Sequence, residues 1–171
     1  MSYSINSNIY LRQSYGIFRD LTSSSKREHT EDNSLSYADS TALGHAIKVI
    51  SRHEYSSKLD PTETSGPVKE YGKKLHAFID TYNLTLDSSS KSHDSAIKNI
   101  AKKMKSLSNK YKDKLSSVGI SLDKQGFMKL SESMKIKSTK EFEEVFGNNS
   151  DFMKELKKVP GLIQNHIDTT A

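Results

Sequence analysis

Two apolar seams of matching period, joined by only a few residues, constrain this chain more than any other feature of it. Val68, Tyr71, Leu75, Phe78 and Tyr82 step by three, four, three and four, the spacing that keeps side chains on one face of an α-helix. Ile79 and Leu86 widen that stripe on one side. After the short break SSSKS, Ile97, Met104, Tyr111 and Val118 recur every seven residues, with Ile100 and Leu107 at the intermediate positions. An apolar stripe must be covered, and so short a join makes an antiparallel helical hairpin the natural solution, each helix covering the other's seam. Lys74 and Thr81 flank one seam and Lys103 and Lys110 the other, so attractive charge pairing does not set the register.

The rest of the chain is arranged around that hairpin. A first helix begins near Asp39, where Leu43, Ala46, Ile47 and Ile50 share a face, and it ends where the chain turns polar from Ser56 to Ser65. Pro61 and Pro67 mark the boundary, and Pro67 suits the first turn of the next helix, where its missing N–H is not needed. Gly119 closes the second long helix. The period then changes to two: Ile120 and Leu122, then Met128 and Leu130, flank a turn from Asp123 to Gly126 whose glycine supplies a positive φ. Strands this short must pack on the helices. Ser131 starts a brief helical turn. Ser138 and Glu141 form a capping box, Ser-x-x-Glu, opening a helix that buries Phe142, Val145 and Phe146 and ends at Gly147. Phe152, Leu156, Val159 and Ile163 suggest a last helix, interrupted at Pro160 and Gly161.

At 171 residues there is room for one domain and a tail. Residues 1–36 read as a flexible N-terminal arm and linker, because the aromatic and aliphatic residues up to Leu21 keep no period and Thr22 to Ser34 is polar and Ser-rich. Residues 37–171 read as a single helical domain. The expected fold is mainly α: a long antiparallel helical hairpin with a small β-hairpin and short C-terminal helices.

Chemistry is harder to find in the sequence than packing. Cysteine is absent, which excludes disulfides and thiolate metal sites. No run approaches the roughly 18 apolar residues of a membrane span, and Met1 to Asp20 has neither the basic start nor the apolar core of a cleaved signal. The histidines at 29, 45, 53, 76, 93 and 166 form no His-x-x-x-His pair and no recognised ligand spacing, so they read as structural or surface residues. His76 and Asp80 lie one helical turn apart and could share a hydrogen bond, but a two-helix seam offers a base little concavity. Asp123-x-x-Gly126 lacks the alternating ligands and distal Glu of a calcium loop, and turn chemistry accounts for it. No catalytic, cofactor-binding or metal residue is expected, and no enzyme.

The net charge of +5 is a weak partner signal, because 26 basic and 21 acidic residues are mixed along the chain. One stretch is stronger. Between Lys98 and Lys114 seven lysines stand against one acid, Asp113, and Lys98, Lys102, Lys105 and Lys112 line an outer stripe. That stripe could neutralise phosphates, or it is simply a solvated face, since no arginine, aromatic platform or groove-reading motif accompanies it. Tyr71, Tyr82 and Tyr111 read as core. Ile79 and Leu86 exceed what a two-helix contact needs, so either the β-hairpin and terminal helices cover them or another protein does.

Three segments carry a family resemblance. LHAFIDTYN, from Leu75 to Asn83, resembles the FVdaYN helix of the bacterial flagellar filament cap proteins, the hook-associated FliD family with its small clostridial FliD-like members. VGISL, from Val118 to Leu122, followed by Asp123 and Gly126, resembles that family's iGIt…dGtL hairpin, and Leu130 with FEEVF, Phe142 to Phe146, resembles its closing segment. The likeness spans about Val68 to Leu156. It implies a structural or adhesive component with a protein partner or self-association, exported through a flagellar-type channel by an unfolded N-terminal arm and placed outside the cell or on the flagellum; without the resemblance the expected location is the cytoplasm. The alternative from charge alone is a small basic nucleic-acid-associated helical protein.

Overall fold

A computed structural model describes residues 27–52, 67–131 and 139–170, with residues 67–71 and 139 described by their backbone alone. Seven helices and one two-stranded sheet make up the described elements: α1 (Asp32–Ser51), α2 (Pro67–Lys91), α3 (Ser95–Lys110), α4 (Lys112–Ser117), β1 (Ile120–Leu122), β2 (Met128–Leu130), α5 (Thr139–Phe146), α6 (Asp151–Leu156) and α7 (Lys158–Thr170). The chain divides into a unit Met1–Glu31 and a unit Asp32–Ala171, and the elements above all belong to the second.

The fold is mainly α and the antiparallel helical hairpin is present as α2 and α3. Leu75, Phe78, Ile79, Tyr82 and Leu86 of α2 are buried, as are Ile97, Ile100 and Met104 of α3, while Leu107 and Tyr111 are partly buried against the same core. Val68 and Tyr71 have side chains outside the described residues. The two seams do not simply cover each other, however. The most extensive partner of α2 is α1, and α7 lies against both α1 and α3. Ile79 and Leu86, too many for a two-helix contact, are thus buried inside this chain, in a core shared with Leu43, Ile47 and Ile50 of α1.

Helix ends differ from the periodicity-based expectation, each for a physical reason. α1 starts at Asp32, not near Asp39, and reaches back into the stretch read as linker. α2 runs on to Lys91 through the serines read as a break, leaving Ser92 to Asp94 as the join. In both places serine and threonine are buried: Ser36 and Ser40 on α1, Thr85, Ser88 and Ser89 on α2. Small hydroxyl side chains let the two backbones approach. Helix carbonyls satisfy most of them: Ser40 Oγ donates to Tyr37 O at 2.8 Å, and Thr85 Oγ1 to Thr81 O at 2.8 Å and across to Asp39 O at 3.0 Å.

The second seam is broken at Tyr111, with α4 following α3 after one residue at φ −104° and ψ 17°; its ring packs on Phe152 of α6, centroids 5.5 Å apart. The C-terminal interruption lies at Lys157, between α6 and α7, and α7 passes through Pro160 and Gly161 unbroken. Pro160 thereby occupies the third position of its helix, where an N–H has no intrahelical acceptor to lose. α5 begins at Thr139. Ser138 of the expected capping box, the helical turn expected after Ser131 and the break from Ser56 to Ser65 lie outside the described residues. So do His53 and residues 1–26 of the expected arm.

The β-hairpin follows its alternation. β1 and β2 pair antiparallel with Ile120 opposite Leu130, Ser121 opposite Lys129 and Leu122 opposite Met128. Ile120 and Met128 are buried while Ser121 and Lys129 are exposed. Gly119 (φ 82°) caps α4 and Gly126 (φ 91°) closes the turn, both in the left-handed region that side chains rarely adopt.

Candidate interaction surface

The segments Leu75 to Asn83, Val118 to Leu130 and Phe142 to Phe146 meet in one place. Near the middle of α2, Tyr82 turns its ring into the core beside Phe78. Its hydroxyl donates to Gly126 O at 3.3 Å, and Ser108 Oγ of α3 lies 2.7 Å from the Tyr82 hydroxyl oxygen. Burial pushes the Tyr82 phenol up to about 12, the Ser108 hydrogen bond opposing and the Asp123 charge adding to the rise. Its neighbour Asn83 holds both polar groups of one strand residue: Asn83 Nδ2 donates to Met128 O at 2.9 Å, and Met128 N donates to Asn83 Oδ1 at 2.8 Å. Asp123 builds the turn from inside, its Oδ1 accepting from the Gln125 and Phe127 amides at 2.9 Å each. On the far side, Phe146 of α5 meets Phe78 edge to face at 5.4 Å.

The lysines sit only partly as the sequence suggests. Lys98, Lys102, Lys103 and Lys110 are exposed on α3, and no ion pair engages Lys98, Lys102 or Lys103 among the described residues. Lys105 departs from the outer stripe: it is half-buried, its stem close enough to the hairpin turn that a Cβ added to Gly126 would come within 2.8 Å of it. Lys112 stands beyond the Tyr111 break, on α4. Lys110 and Lys114 instead bracket the Tyr111 ring, with Nζ 5.4 and 6.0 Å from its centroid. α3 thus presents a basic outer face without acidic neighbours on the same helix, while its continuation at α4 is turned onto an aromatic ring.

Two histidines have a role that spacing could not show. His166 Nε2 of α7 lies 2.8 Å from Asp94 Oδ2, while Asp94 Oδ1 caps α3 by accepting from the Ala96 and Ile97 amides at 2.7 and 3.3 Å. Next to it, His93 pairs with Asp32 at the start of α1. The hydrogen bond from His166, and then the two amides, hold the Asp94 carboxyl below its usual range against an opposing desolvation. The three-residue join of α2 and α3 is thereby tied to the first and last helices of the unit. His29, His45 and His76 are exposed. His76 and Asp80 share no hydrogen bond, and no group of three or more metal-ligating side chains occurs among the described residues.

Among the described residues, the exposed large apolar side chains are Tyr37, Val49, Leu84 and Leu162, on three different helices. No described helix is long and apolar enough to cross a membrane. The chain matches no protein-family model, no curated protein and no solved structure.

Proposed function

We propose that this chain is a non-catalytic structural or protein-interaction module related to the flagellar filament cap proteins. The observation that supports the reading is the clamp at Tyr82 and Asn83: the TYN end of the FVdaYN-like helix hydrogen-bonds the turn and strand of the GI…dG-like hairpin, at Gly126 and Met128. Segments that resemble one family in sequence order also depend on one another physically. Because the described seam residues of α2 and α3 are covered within the chain, association with a protein partner or a second copy uses the outer helix faces and the N-terminal segment that precedes α1, residues 1–31. Export through a flagellar-type channel belongs to the same reading. A defined oligomer by light scattering, and intact chain in the culture medium that disappears when the flagellar secretion apparatus is disabled, are the expected results. A monomer retained strictly inside the cell overturns the proposal.

A second reading, a small basic nucleic-acid-associated protein, draws on the unpaired Lys98, Lys102 and Lys103 of α3. It expects retention on DNA or RNA that weakens with salt, the logarithmic slope falling by about 0.7–0.9 for each lysine that neutralises a phosphate. Binding that survives K98Q/K102Q/K103Q rules out this face.

A further inference from the structure

A groove of about 480 Å³ runs between α1 and α7, within the size range of small-molecule sites, roughly 300–1,000 Å³. Two helical stripes form its walls: Thr41, Gly44 and Lys48 on α1, and Lys157, Pro160 and Gln164 at the α7 side. The stripes run in opposite directions. Thr41 meets Gln164, whose Nε2 donates to Thr41 Oγ1 at 3.0 Å, and Gly44 meets Pro160 at a distance that leaves only 3.5 Å for an added Cβ. Continuing that register by one turn brings Lys48 level with Lys157, about 10 Å along the groove from the Thr41 end at 1.5 Å of rise per residue.

Lys48 and Lys157 place two ammonium groups on opposite walls, and among the described residues no carboxylate lines the groove between them. Among the described residues Lys157 is bound only to a neutral group, the Asn148 amide oxygen at 3.2 Å, and Lys48 has no ion pair. His45 adds a further nitrogen donor on the α1 wall. At the other end the Gln164 amide is held in place by Thr41, whose own hydroxyl donates to Tyr37 O at 2.9 Å, and among the described residues the second Gln164 N–H and its carbonyl oxygen face no fixed partner. Unopposed positive charge at one end and positioned amide donors and acceptors at the other describe an elongated ligand with an anionic head and a hydroxyl-bearing body.

We propose that the α1–α7 groove binds a small phosphate ester, its phosphate between Lys48 and Lys157 and its body against Gln164. Glycerol 3-phosphate is the probe, titrated into the full chain and followed by amide chemical shifts, with inorganic phosphate in parallel. The expected result is saturable shifts at Gly44, His45 and Gln164, at least tenfold weaker binding in K48Q/K157Q, and unchanged binding in K98Q/K102Q/K103Q. Gln164→Ala weakens the ester and leaves inorganic phosphate as it was. Shifts confined to α3, ester binding that persists in K48Q/K157Q, or inorganic phosphate binding as tightly as the ester would each overturn the assignment. Both groove lysines are exposed, so an unchanged melting temperature of K48Q/K157Q shows that lost binding is not lost folding.

Discussion

Asn83 acts on the hairpin as a third strand would. The rungs Ser131 N to Gly119 O and Asp123 N to Phe127 O alternate along the antiparallel ladder, leaving the N–H and C=O of Met128 pointing away from β1, and the Asn83 carboxamide meets both. Asn83→Ala leaves two strand groups without a partner and is expected to cost about 1–3 kcal/mol in denaturant unfolding. Asn83→Asp keeps the acceptor but sets a carboxylate against the Met128 carbonyl, so it does not restore the loss. Gly126→Ala adds the left-handed penalty of roughly 1–2 kcal/mol to a contact with the Lys105 stem. Tyr82 makes a pH prediction with a definite sign. Its folded pKa of about 12 lies above the ordinary phenol value of 10, so its contribution is fully present below pH 10 and is lost as pH rises through 12, on the order of 2–3 kcal/mol. Tyr82→Phe, compared with the parent from pH 9 to 12, should flatten that part of the stability curve; parallel curves would exclude Tyr82 as its source.

At the scale of elements, burial separates the seams from their flanks. Leu75 and Met104 are buried, one on each arm of the hairpin, and Leu75→Ala or Met104→Ala should each cost about 2–5 kcal/mol; near-parental melting would remove them from the core. The join of α2 and α3 depends on polar contacts instead. Asp94 caps α3 and receives His166, and its depressed folded pKa means that its contribution is present above the ordinary carboxylate range and is lost as pH falls through the folded value. Asp94→Ala should therefore lower the melting temperature at pH 7, speed amide exchange at Ala96 and Ile97, and have a shrinking effect toward pH 3. An effect that grows with acidity would contradict this account.

At the scale of the whole molecule, packing has turned apolar surface inward on the helices of the unit, and among the described residues what remains outside is scattered. Leu84→Ser and Leu162→Ser, at exposed positions on α2 and α7, should change stability by no more than about 0.5 kcal/mol. Larger losses in the isolated protein would mean that these side chains are covered in solution, by a second copy for instance, and their concentration dependence would show it. The same expectation applies to Lys98, Lys102 and Lys103, exposed on α3, whose removal should leave the fold unaltered.

Periodicity by itself determined the helical hairpin, the β-hairpin with its inward Ile120 and Met128, and the inward faces of α5 to α7, because burying apolar side chains is a local demand written at fixed intervals of 3.6 or two residues. It misplaced the ends of α1 and α2 because serine looks solvated in a sequence, whereas Ser36, Ser40, Ser88 and Ser89 are buried where two helices come close. It also could not see that α1 is the main cover for α2, that Asn83 clamps Met128, that Asp94 meets His166, or that Lys48 and Lys157 share a groove. Each of those pairings joins residues between 45 and 109 positions apart or separate helices, and only the closing of the chain on itself decides which polar groups are brought within reach of one another.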